Sequence, residues 1–255
     1  MLLNLLDSHP IKQKFHTAAA FGCVAIGLFV MLAPCSEAAI VLDHIHHSSG
    51  DDFSLLPSPL PSQVFTDNSE YNSMVLEDFI VSESELKITR VSGFFRALAG
   101  FNSFQMITAY QVSIFTDVGL AAGALSGNIV DLLAADSMIS VLQVFAGSGS
   151  FEYGVVSIDV DVILPSSGHY WLGIAPVADS STQFFLESAM PSASGGEDAY
   201  FANPGGGFGL TALSNSGYDA AYSVIAIPES STILYFVALS WIVFTQRRRT
   251  GWSSK

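Results

Sequence analysis

The stretch Val156-Ser-Ile-Asp-Val-Asp-Val162 constrains this chain more than any other seven residues. Apolar and polar side chains alternate without a break, which puts Val156, Ile158, Val160 and Val162 on one face of an extended strand. Tyr110-Gln-Val-Ser-Ile114 repeats the pattern, and Gly, Ser, Asn and Pro punctuate the chain at intervals. No 3.6-residue periodicity is sustained in the middle of the chain. Strands are expected at Met74–Val81, Leu86–Phe95, Met106–Thr116, Ile139–Ala146, Val155–Leu164, Tyr170–Ala175, Gln183–Glu187 and Ala221–Ile227. Ile129–Ala135 fits a short helix or an edge strand. Many short strands without intervening helices predict an all-β fold, a β-sandwich of jelly-roll-like form. Ser48–Asn72, rich in Ser, Pro and Asp, is expected as a surface loop or arm, and Pro191–Ser216 as a long mobile glycine-rich loop.

Charge narrows the class of partner. Between Ala39 and Ile227 the basic residues are Lys87, Arg90 and Arg96, against 20 Asp and Glu, a formal charge of −17 for that region. So acidic a surface repels phosphate backbones and argues against nucleic acid as a partner. It suits a solvated domain outside the cell, or one that recruits cations. The chain's two cysteines, Cys23 and Cys35, lie at its N-terminal end. If that end is removed, the remaining domain has no disulfide and depends on an ordinary core, for which its length is ample.

Both ends carry apolar segments. Lys12 and Lys14 precede the run Ala18–Ala33, Pro34 breaks it, and Ser36-Glu-Ala38 supplies a small-x-small signal. This is the layout of a secretory signal peptide spanning residues 1–38, with signal peptidase cutting between Ala38 and Ala39. A retained membrane anchor is the alternative, since the leader is long. A lipobox reading of Cys35 is opposed by Pro34, which stands where a small residue is expected.

At the other end, Ile227-Pro-Glu-Ser-Ser-Thr232 leads into Ile233-Leu-Tyr-Phe-Val-Ala-Leu-Ser-Trp-Ile-Val-Phe-Thr245 and then Gln246-Arg-Arg-Arg249. A helix over Ser230–Thr245 would be about 24 Å long, short of the ~30 Å hydrocarbon core unless flanking residues or bilayer thinning make up the difference. Arg247, Arg248 and Arg249 would stop transfer and stay cytoplasmic. The tail, residues 228–255, resembles the PEP-CTERM sorting signal of exopolysaccharide-producing Gram-negative bacteria. Pro228, Glu229, Ser231 and Thr232 match that family's motif, and Ser230 departs from it by replacing the second proline. The resemblance implies an exosortase-type protease acting at the motif and sorting of residues 39–227 from the inner membrane to the cell surface. Leu76-Glu-Asp-Phe-Ile80, Ile88-Thr-Arg-Val-Ser-Gly-Phe94 and Tyr170-Trp-Leu-Gly-Ile174 resemble strands of ectodomains that carry this tail, which again implies a β-sandwich.

Few residues suggest chemistry. Asp43-His44-Ile45-His46-His47 offers three imidazoles and a carboxylate to zinc, copper or nickel. So near a chain end it is expected as a solvated arm that binds metal adventitiously, and no metal ligand is assigned. Asp159 and Asp161 on one strand, with Asp51 and Asp52 in a loop, present hard oxygens to calcium, although alternating aspartates more often mark a strand's wet face. His169 begins a strand beside Tyr170. No Gly-x-Ser-x-Gly elbow occurs, and Gly205-Gly-Gly-Phe-Gly209 lacks the lysine of a phosphate loop. The expectation is therefore a non-catalytic exported envelope or matrix protein that associates with exopolysaccharide. The alternatives are a carbohydrate-binding adhesin using Tyr200, Phe201, Phe208 and Tyr218, and, less favoured, a secreted hydrolase.

Overall fold

Extended backbone dominates the computed structural model, which describes residues 38–45, 59–82, 85–98, 103–146, 151–189 and 196–228. The first half holds strands β1 (Ala39–Asp43), β2 (Leu60–Pro61), β3 (Val64–Phe65), β4 (Met74–Val81), β5 (Leu86–Leu98), β6 (Ala109–Phe115) and β7 (Val130–Ala134). There follow β8 (Ile139–Ala146), β9 (Phe151–Ile163), β10 (Gly168–Ala178), β11 (Gln183–Leu186) and β12 (Ser188–Ala189). The chain closes with β13 (Tyr200–Ala202), β14 (Leu213–Asn215), β15 (Asp219–Ala220) and β16 (Tyr222–Pro228). Helical turns among the described residues are 3-10 only, and none is long and apolar enough to cross a membrane. The domain is all-β, as expected. The leader, the expected membrane helix Ser230–Thr245 and Arg247–Arg249 lie outside the described residues.

Two sheets form the body. In the first, β5 pairs with β9 along one edge, and β8 extends the sheet beyond β9. The other edge of β5 is shared: β16 takes the N-terminal half and β11 the C-terminal half, with β1 outside β16 and β2 outside β11. The second sheet runs β14-β13-β4-β10-β6-β7, with β3 joining β10 in parallel. Ile88, Val91, Phe95, Val156 and Ile158 from the first sheet bury into one cluster with Val75, Phe79, Val112, Ile114, Tyr170 and Leu172 from the second. The fold is thus sandwich-like, with the alternating residues on the inner faces. Ile129–Ala135 forms an edge strand rather than a helix, pairing Val130–Ala134 with β6.

β4 departs from alternation because both its faces are covered. Val75, Phe79 and Val81 join the inter-sheet core, while Met74 and Leu76 pack on the outer side with Phe115, Ala121 and Trp171. Gly173 on β10 allows this close packing, since a Cβ there would meet Met74 Sδ at 2.2 Å. Tyr222 fastens the sheets together from β16. Its hydroxyl accepts from Ile174 N–H at 2.9 Å and lies 3.0 Å from the carbonyls of Val75 and Ile174, to either of which it donates.

Three expectations are corrected. The strand expected at Met106–Thr116 begins at Ala109, and Met106 closes a 3-10 turn. Residues 59–72 are not a free loop. They supply β2 and β3, and the buried Gln63 donates to the carbonyls of Asp179 and Thr182 while accepting from Phe184 N–H, so its amide replaces strand pairing. Nor do residues 196–216 form a mobile loop, because β13 and β14 make a hairpin there. Its glycine turn is held down by Asn203, which donates to the carbonyls of Glu70 and Asn72, and by Gly207 N–H bonding Glu70 O.

Candidate functional site

The polar groups that an apolar core tolerates least gather around Glu77. Glu77 lies two residues from Val75 and Phe79 on β4, so strand parity turns it toward the inter-sheet core with them. Its side chain is 1% exposed. Oε2 accepts from Ala220 N–H of β15 at 2.6 Å, whereas the buried Oε1 has no hydrogen-bond partner among the described residues. Burial pushes the Glu77 carboxyl up to about 10; the Ala220 bond opposes this, and the charges of Asp219, Asp78 and Asp198 add to it.

Two further groups converge on that oxygen. His44 follows β1, where its own N–H bonds Tyr222 O at 2.8 Å and the next residue, Ile45, is buried with Phe94 and Ala221. The His44 ring therefore points inward. Nδ1 is 3.3 Å from Ala220 O and 3.4 Å from Glu77 Oε1, and Nε2 is 3.9 Å from Asp219 Oδ2. One ligand-capable atom from each of His44, Glu77 and Asp219 lies within 4.8 Å of the others. The three come from both sheets and from the two-stranded β12–β15 ribbon. The expectation of a solvated arm fails at His44 because Leu42 is buried in the inter-sheet core and Ile45 packs with Phe94 and Ala221. His46 and His47 lie outside the described residues, as do Asp51 and Asp52.

Asp78, the next residue on β4, faces the other way. Its Oδ2 is 2.6 Å from His169 Nε2, and Asp78 is buried while His169 is partly exposed. Gly196 packs against it so closely that a Cβ would come within 2.7 Å of Asp78 Oδ1. His169 stacks obliquely on Trp171, which meets Tyr200 edge-on. Among the described residues no hydroxyl or thiol is hydrogen-bonded to His169.

The remaining sequence candidates are dispersed. Asp159 pairs with Arg90 at 2.9 Å and Asp161 with Lys87 at 2.8 Å, so the carboxylates considered for calcium meet the domain's own cations. Phe201 is buried, Tyr200 and Tyr218 are half-buried, and Phe208 packs edge-on against Tyr71 and Phe201. Ala38 and Ala39 are exposed, Ala39 opening β1 opposite Ala226. Pro228 is the last residue of β16 and pairs with Leu86. Glu229, Ser230, Ser231 and Thr232 fall outside the described residues. Sequence reasoning missed Glu77 and Asp219. Glu77 carried a signal, a carboxylate at the parity of Val75, Phe79 and Val81, whereas Asp219 carried none.

No protein-family model matches the chain, and no curated protein is significantly similar to it.

Proposed function

We propose that this chain is a non-catalytic protein of the cell envelope or extracellular matrix, exported across the inner membrane of a Gram-negative bacterium and displayed at its surface. The observation that carries this is the order of segments: a leader, an acidic all-β unit, Pro228-Glu229-Ser230-Ser231-Thr232, an apolar run, and Arg247–Arg249. Signal peptidase acts between Ala38 and Ala39. The tail holds the chain in the inner membrane until an exosortase-type protease cuts at the motif, and the released domain meets exopolysaccharide.

The folded domain supports this sequence of events in two ways. Ala39 pairs with Ala226 and Pro228 with Leu86, so the two ends of the domain lie at the same end of the neighbouring strands β1 and β16. Both processing sites then face one membrane. The chain also crosses between sheets from β4 to β5, β5 to β6, β7 to β8 and β9 to β10, which we read as jelly-roll-like connectivity suited to a free-standing exported domain. Burial of Phe201 and the edge-on packing of Tyr200 and Phe208 favour this role over glycan stacking.

Mass spectrometry of the protein recovered from native cells tests the proposal. The expected product begins at Ala39 and ends within or just after the Pro228–Thr232 motif. Recovery of the chain intact from Met1 through Lys255 would overturn it.

A further inference from the structure

Glu77 Oε1 is a buried polar atom that makes no hydrogen bond among the described residues, a rare condition in native structures. Ala220 N–H holds the other oxygen of the carboxyl at 2.6 Å. His44 Nδ1, 3.4 Å away, is at ion-pair distance but makes no hydrogen bond to it. Asp219 brings a second carboxylate to the same spot, with its side chain 8% exposed. Two carboxylates and an imidazole drawn together in the interior favour a positive occupant, either a proton on Glu77 or a cation.

From this geometry we infer that His44, Glu77 and Asp219 form a binding site for a first-row divalent cation of the zinc type. The donor set selects the ion. Calcium takes six to eight oxygens, and an imidazole nitrogen suits it poorly, whereas one nitrogen and two carboxylate oxygens suit zinc with a water completing four positions. Tetrahedral bonds of about 2.1 Å place ligand atoms roughly 3.4 Å apart. The present set, all within 4.8 Å, reaches that by side-chain movement alone. The ion would join β1 and β15 to β4 of the opposite sheet, a cross-link in a domain that has no cysteine after Cys35. The inference is independent of the export proposal and concerns the folded domain wherever it resides.

The test uses the full chain in detergent, carried on a tag without histidine, stripped with chelator and titrated with Zn²⁺. Calorimetry should give one equivalent bound. Co²⁺ in its place should show visible d–d bands that Zn²⁺ abolishes. Glu77→Gln, which keeps the side chain's shape, and Asp219→Asn should each weaken Zn²⁺ at least about tenfold. The double variant His46→Ala/His47→Ala should bind as the parent does, with the same Co²⁺ spectrum. Two results would overturn the inference. One is a parent chain that binds no Zn²⁺. The other is binding that survives Glu77→Gln but disappears with His46→Ala/His47→Ala, which assigns it to the histidine run as an adventitious ion only. Circular dichroism of each variant separates lost ligation from lost folding.

Discussion

At the scale of single residues, Glu77 should dominate the pH response of the metal-free domain. The groups facing it are His44, Asp219 and, at longer range, Asp78 and Asp198; the three carboxylates reinforce the burial that keeps it protonated. In the unfolded chain its carboxyl ionises near 4.5, and in the folded chain only near 10. Between those values the native state binds the extra proton, so unfolding becomes easier as pH rises. The stability contributed is complete below pH 4.5 and lost on the way to pH 10. Glu77→Gln removes the proton from the balance. In EDTA, urea melts at several pH values should show the parent losing roughly 3 kcal/mol relative to the variant between pH 4.5 and pH 7. Parallel pH profiles for the two proteins would show that Glu77 ionises normally in the fold.

At the scale of elements, strands were legible whether one face or both were covered, β4 to its bounds at Met74–Val81, but which side chains of β4 face which layer was not. Asp159 and Asp161 reach solvent and pair with Arg90 and Lys87, so β9 alternates openly. β4 reads as an apolar run broken by two acids, because the 3-10 turn at Val118–Ala122 helps cover its outer face. That cover comes from distant sequence, and so do the partners of His44, which sit on β4, β15 and β16. The buried Gln63 escaped for the same reason, its three bonds all reaching residues 179–184. Tyr222 is the clearest case of an element-level bond carried by one atom. Its hydroxyl belongs to β16, yet it serves the backbone of β4 and β10 in the other sheet. Tyr222→Phe leaves the ring's packing and takes the hydroxyl from Ile174 N–H and Val75 O, while Ile174 O keeps its bond from Ser62. It should cost about 1–3 kcal/mol in thermal or urea denaturation. Loss under about half a kcal/mol would mean that the sheets hold together without the hydroxyl.

For the whole molecule, the decisive relation is between the domain and the tail that follows it. β16 stays in the ladder to its last residue, Pro228 opposite Leu86, and every buried cluster among the described residues is built from positions before it. A protease binds its substrate as extended, unpaired chain, so the cleavage proposed above would fall beyond Pro228 rather than within Tyr222–Ile227. For the same reason the tail should be dispensable for folding. A chain ending at Pro228 but retaining the leader keeps the −17 charge of the region from Ala39 to Ile227, which favours solubility. It should leave the membrane fraction and appear soluble outside the cytosol, melting within a degree or two of the full chain in detergent. If it stays with the membrane, the leader is retained as an anchor and the domain is tethered from Ala39, at the start of β1. If it fails to fold, residues beyond Pro228 complete the domain, and the boundary drawn by β16 is wrong.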